Sequence, residues 1–221
     1  MKNRYCNRSH ISESKFRAVV RCFCLDFDAT QTSVVTRVSR VTVNHLFALF
    51  RTRILSWTGQ RTKVSGSVEI DESYFGPRRV RGKRGRGASG KIPVLGILKR
   101  NGRVSVTIID NCSRAQLLPI IKGKVLSKTN VYTDGWRAYD GLITLGYKHY
   151  RIHHHENEFA RGKNHVNGIE SFWSFTKRRL LKFNGIPKSK FLLHLKESEF
   201  RWNMRKNMYK ELLKNFTQKP L

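Results

Sequence analysis

The chain has 221 residues and carries 44 Lys and Arg against 15 Asp and Glu, a formal net charge of +29 with a pI of about 10.7. This excess excludes an ordinary metabolic enzyme as the default, because charge at such density repels itself unless an anionic partner screens it. Nucleic acid is the commonest intracellular polyanion, and an anionic membrane surface is the competing partner.

The first 25 residues scatter charges through MKNRYCNRSHISESKFRAVVRCFCL and show no apolar run of signal-peptide length. No window approaches the roughly 18 to 20 apolar residues of a bilayer span. A soluble, cytoplasmic, DNA-associated chain with no membrane partner is therefore expected. Cys6, Cys22, Cys24 and Cys112 give neither a disulfide framework nor paired C-x-x-C knuckles, so buried free thiols are expected.

Residues 14 to 55 show helical spacing in three bursts: Phe16, Val19, Val20 and Phe23; Val34 and Val35; Leu46, Phe47, Leu49 and Phe50. Asp28 can cap the second burst, and Val38 to Val41 makes a tight connection to the third. The pattern predicts a helix-turn-helix within residues 1–60. Ser39, Arg40, Thr42, Asn44 and His45 then begin the recognition helix, where Arg40, Thr42, Asn44 and His45 can reach base edges or phosphates. A small helical bundle without DNA contacts shares this periodicity.

From Ser67 the period becomes that of strands, in VEIDESYF, IPVLGILKR and RVSVTIID, the last two separated by the turn pair Asn101-Gly102. A helix over Arg114 to Val125, a strand over Asn130 to Thr133, a helix near Trp136 to Leu145 and a strand over Tyr147 to His153 follow. A long helix from about His165 to Phe183 closes the series before Gly185 and Pro187. This order predicts an α/β domain over residues 67–185, a mixed sheet flanked by helices. Residues 186–221 read as a basic helical tail.

Within the first hairpin, Pro77 to Lys91 reads PRRVRGKRGRGASGK, seven basic residues and four glycines without an acid. Its Arg78, Arg79, Arg81, Lys83, Arg84 and Arg86 suit sequence-independent phosphate contact. A solvated charge run is the alternative.

With so few acids, a carboxylate in an apolar strand needs a reason. Asp71 sits amid V-E-I-D-E-S-Y-F, where burial costs several kcal/mol without a compensating cation or donor. Asp134 ends the V-Y-T-D strand and precedes a glycine, at the strand end where α/β sheets expose ligands. Glu170 lies on the closing helix, with 35 residues between it and Asp134, flanked by Phe172, Trp173 and Phe175. Acids on two strands and that helix can converge on two divalent cations, which clamp the attacking and leaving oxygens of a phosphoryl displacement. Carboxylates are suitable hard ligands for two Mg²⁺ ions, with Mn²⁺ as the alternative.

E-I-D-E-S-Y-F-G, G-K-R-G-R-G, Y-T-D-G-W-R-A-Y, H-V-N-G-I-E-S-F-W-S-F-T-K-R and K-F-N-G-I-P-K, in this order over about residues 67 to 205, resemble the DDE transposases of bacterial insertion sequences, in the group related to Merlin transposons. The resemblance implies an RNase H-like fold, with Asp71, Asp134 and Glu170 as catalytic acids and metal ligands. It implies cleavage and strand transfer at the terminal inverted repeats of an element, with those repeats and target DNA as partners and a homodimer in the DNA complex. Lys177, two helical turns after Glu170, matches the family's basic residue and is expected to contact phosphate, with Arg178 beside it. Asn167 is the alternative third ligand, because related enzymes sometimes carry Asn there. Glu69 and Glu72 are expected to be structural or supporting, and Tyr132, Trp136, Trp173 and Trp202 to be packing residues. His153, His154, His155 and His165 form a weak metal signal. A catalytically inactive DNA-binding relic and an RNase H-like nuclease are the alternative functions.

Overall fold

The computed structural model describes residues 3–58, 63–76, 90–152 and 166–221. The chain divides into two compact units, one of residues 1–59 with 204–221 and one of residues 60–203.

The first unit is helical: α1 (Glu13–Cys24), α2 (Ala29–Thr36), α3 (Arg40–Thr58) and α7 (Met208–Gln218). The expected cap is present as a reciprocal pair. Asp28 Oδ1 accepts from the Gln31 amide at 2.8 Å, and Gln31 Oε1 accepts from the Asp28 amide at 3.0 Å. Ser39 Oγ similarly accepts from the Thr42 amide at 3.2 Å, starting α3. Phe16, Phe23, Phe47, Phe50 and Phe216 fill the core, with Phe50 and Phe216 stacked at 5.0 Å. Cys6 and Cys22 are buried free thiols.

Two expectations are corrected here. Val34 and Val35 are exposed, and α2 instead buries Thr32 and Thr36, which share a face at i and i+4. The segment read as one tail is divided, since α7 packs Leu212 and Phe216 into the helical unit whereas α6 (Lys188–Asn203) belongs to the other.

The second unit holds a five-stranded sheet, β1 (Ser67–Phe75), β2 (Ile92–Lys99), β3 (Val104–Ile108), β4 (Asn130–Asp134) and β5 (Lys148–Ile152), in the order β3-β2-β1-β4-β5. β1 to β3 form an antiparallel meander; β4 runs parallel to β1, and β5 parallel to β4. Helices α4 (Arg114–Lys124), α5 (Asn167–Leu181) and α6 flank it, so the α/β class expected, a mixed sheet flanked by helices, is the one observed. The β2–β3 turn sits at the Asn101-Gly102 pair, with Asn101 at φ 55°. The segment expected as a helix before β5 is 3₁₀ over Arg137–Leu145. At Gly141 an added Cβ would lie 2.6 Å from Leu118 and 2.7 Å from Arg114, so the backbone comes close to α4.

Alternation along β1 decides what each face carries. Val68 and Ile70 pack with Leu95, Ile97, Val131, Leu117, Ile121, Tyr139 and Leu142 on the α4 side. Phe75, Val94, Leu98, Val104 and Val106 pack with Ile169, Phe172, Trp173, Phe191 and Leu195 of α5 and α6 on the other. β3 is an edge strand, a position that invites pairing with other chains, and α6 covers it with side chains. Asn203 accepts from the Val104 amide and donates to its carbonyl, both at 2.9 Å. Glu199 Oε2 accepts from the Val106 amide at 3.1 Å, and Lys196 Nζ donates to the Val106 carbonyl at 2.7 Å. Among the described residues no helix is long and apolar enough to cross a membrane.

Candidate active site

β1 carries Glu69, Asp71 and Glu72 within four residues, and the fold treats each differently. Glu69 is 1% exposed. Its Oε1 accepts from Arg100 Nε at 2.9 Å and its Oε2 from the Ile169 amide at 2.9 Å. The Arg100 guanidinium lies 3.8 Å from the Tyr132 ring centre. Glu69 therefore holds the first turn of α5 against the sheet, and Gly168 permits this, since a Cβ there would lie 2.8 Å from Glu69 Oε2.

Asp71 faces the same side, where its Oδ2 accepts from the Trp173 indole Nε1–H at 3.0 Å. Burial, and then the charge of Asp134, push its carboxyl up to about 6. Glu72 points to the α4 side beside Tyr139. Burial pushes it up to about 7, the Tyr139 hydroxyl opposes this, and the charges of Asp71 and Asp134 add to it. Asp134 is the last residue of β4, and its Oδ1 accepts from the Trp136 amide at 3.1 Å as the chain turns into the 3₁₀ segment.

Asp71, Asp134, Glu170 and Lys177 line one cleft of about 390 Å³, together with Glu72, Ser73, Tyr74, Lys91, Trp136 and Val166. Glu170 projects from the first turn of α5, and Lys177 Nζ lies 5.9 Å from the Phe75 ring centre. Asn167 and Arg178 are exposed and are not among the lining residues. Among the described residues no three His, Cys, Asp or Glu are grouped closely enough to hold a metal ion. The acids thus share a cleft without forming a closed ligand cage.

Trp136, expected to be a packing residue, is 39% exposed and lines the cleft. Glu72 also enters it, where only a supporting place was expected. Trp173 is buried as expected, but its bond to Asp71 was not foreseen. The only available signal was its position three residues after Glu170, one turn along the same helix. Glu199 and Asn203 bond β3 from α6, and Arg201 donates to Glu197 within the same helix.

On the helical unit, Arg40, Asn44 and His45 are exposed at the start of α3, and Thr42 is half-buried with its hydroxyl 2.9 Å from Ser39 Oγ. Arg78, Arg79, Arg81, Lys83, Arg84 and Arg86 lie outside the described residues, as do His153, His154, His155 and His165.

The family model described as the ISXO2-like transposase domain matches residues 63–203, which contain all five strands, α4 to α6 and the cleft. The chain belongs to this family. An uncharacterized transposase-like protein of Haemophilus influenzae is 48% identical over 101 residues, 46% of this chain and 81% of that protein. An uncharacterized protein in the transposable element ISH50 of Halobacterium salinarum is 30% identical over 181 residues, 73% of this chain and 60% of its own length. Among solved structures, the Mos1 transposase paired-end complex with left transposon end is similar at 11% identity, over 91% of this chain and 79% of that one, with a TM-score of 0.33.

Proposed function

We propose that this transposase-family chain cleaves DNA at the terminal inverted repeats of an insertion sequence and transfers the freed strand to target DNA. The observation that carries this reading is the single cleft lined by Asp71, Asp134, Glu170 and Lys177 inside the family-matched region. Asp71, Asp134 and Glu170 would hold two divalent ions, Mg²⁺ or Mn²⁺. Two tests of the donor set favour this: all three donors are hard carboxylates, and Asp71 carries a repulsion from Asp134 that a bound cation would offset. When bound there, such ions would supply charge neutralisation for a phosphoryl displacement.

The chain's own residues do the positioning. Glu69 fixes the α5 turn that carries Glu170, the Trp136 amide orients Asp134, and Lys177 meets the non-bridging oxygens of the scissile phosphate. The reaction is hydrolysis at the element end, followed by attack of the 3′-hydroxyl on target DNA. Arg40, Thr42, Asn44 and His45 read the element end, and the basic residues of 78–86, with Arg178, contact phosphates. Two copies of the chain hold the two ends in a cytoplasmic DNA complex.

A labelled DNA end carrying the terminal repeat, incubated with Mg²⁺, tests the reading. Site-specific nicking is expected in the wild type. Asp71→Asn and Asp134→Asn lose it while keeping DNA affinity within about twofold, because the basic surface is intact. Glu170→Gln loses cleavage, and Asn167→Ala reduces it less. Binding without cleavage in the wild type would indicate a relic, and equal cutting of unrelated DNA a nuclease.

A further inference from the structure

Asp71 is paired across β1–β2 with Gly96. Glycine is a poor residue for the middle of a strand, and Gly96 has no positive φ to require it. What it supplies is space. A Cβ at Gly96 would lie 2.5 and 2.9 Å from Cζ2 and Cη2 of Trp173, and 2.8 Å from Cδ1 of Ile169. The indole therefore rests directly on the bare backbone of β2. It is 5% exposed, and the rings of Phe172 and Phe75 flank it at 5.1 and 6.0 Å between centres. In that seat its Nε1–H reaches Asp71 Oδ2 at 3.0 Å. Filling the volume alone would not need this pair, since a smaller apolar ring over alanine packs the same layer. The glycine and the indole together place one N–H donor on one carboxylate oxygen.

We infer that Trp173, seated over Gly96, is a positioning residue that fixes the orientation of the Asp71 carboxylate for divalent-cation binding. The inference rests on the cleft being the cation site of the proposed function. A hydrogen bond behind a metal-binding group limits its rotation, and loss of such a bond typically costs about 10- to 100-fold in metal affinity. Phenylalanine at 173 keeps an apolar ring but removes both the donor and the outer ring atoms that meet position 96.

Mn²⁺ titration of the full chain, following the free-ion electron paramagnetic resonance signal, reads this without any DNA substrate. Trp173→Phe and Gly96→Ala are each expected to weaken Mn²⁺ binding about tenfold, and Asp71→Asn to weaken it more. Gly96→Ala added to Trp173→Phe is expected to cost no further Mn²⁺ affinity, because the methyl no longer meets the indole and its remaining close neighbour is the flexible end of Ile169. A purely structural role would lower the melting temperature and leave Mn²⁺ affinity unchanged. Wild-type affinity in Trp173→Phe with loss in Asp71→Asn overturns the inference and leaves the cleft reading standing; wild-type affinity in both overturns the cleft reading. Should either Trp173→Phe or Gly96→Ala fail to fold, the ¹⁵N-labelled wild type decides. Its solvent-protected indole N–H signal must shift on Mg²⁺ addition, and a static signal overturns the inference.

Discussion

Two groups of acids occupy the same sheet unit and have opposite surroundings: Glu69, Glu197 and Glu199 are buried, whereas Asp71, Glu72 and Asp134 are half-buried. Glu69, Glu197 and Glu199 are 1%, 0% and 0% exposed, and each has a cation from the chain itself. Arg100 pairs with Glu69, Arg179 and Arg201 converge on Glu197, and Lys196 meets Glu199 at 2.7 Å. Asp71, Glu72 and Asp134 line the cleft, and among the described residues none of them forms an ion pair with Lys or Arg. Asp71 and Glu72 are pushed upward to about 6 and about 7. A buried acid in this fold is therefore not by itself a sign of chemistry. Among the described residues, the difference lies in whether a Lys or Arg of the sheet unit pairs directly with the carboxylate.

The sharpest way to break the comparison is to remove the acid with two partners. Glu197→Ala leaves the guanidinium groups of Arg179 and Arg201, 2% and 7% exposed, without their shared carboxylate. Breaking a buried pair in this way costs about 3–5 kcal/mol, to be read from urea unfolding. Glu69→Gln is expected to cost less, about 2 kcal/mol, because the amide oxygen can still accept from Ile169. Its specific mark is faster hydrogen exchange at the Ile169 amide, since the anchor of the α5 turn is weakened. Unchanged exchange there would remove Glu69 from the role of holding Glu170's helix in place.

Much of this was legible in the chain itself. Strand alternation, the Asn101-Gly102 turn and the Asp28 cap are local signals, and each is found where local chemistry puts it. Asp71, Asp134 and Glu170 stood out because acids are scarce in apolar segments, and the fold brings them to one cleft. The distinction between Glu69 and Asp71 was not legible. They lie two residues apart on one face, and what separates them is Arg100 and Gly96, whose placement depends on strand register. The bond from Trp173 was hidden for the same reason. Val34 and Val35 misled because an eight-residue helix has too few positions to fix its phase, so tertiary packing chose Thr32 and Thr36. The contacts of α6 with β3 were equally invisible, since nothing local says that a basic helix will cover a strand edge.

The smallest expected effect has the opposite sign from the others. In chelator at pH 7.5, Asp71→Asn should stabilise the protein by about 1–2 kcal/mol. The folded wild type carries Asp71 with a carboxyl raised to about 6, against 3.8 in the absence of such surroundings. Between these values the folded state binds the proton more tightly than the unfolded chain does. Wild-type stability from this group is thus full below about pH 4, falls as pH rises to about 6, and stays reduced above it. Asparagine carries no charge and escapes the loss, so its advantage is greatest above pH 6 and disappears on acidification toward pH 4. Thermal unfolding of both proteins across that range measures the difference. Adding Mg²⁺ at pH 7.5 should raise the wild-type melting temperature and leave the variant's where it was. If Asp71→Asn instead destabilises the chelated protein at pH 7.5, as Glu197→Ala does, Asp71 belongs with the acids whose countercharge the fold already provides.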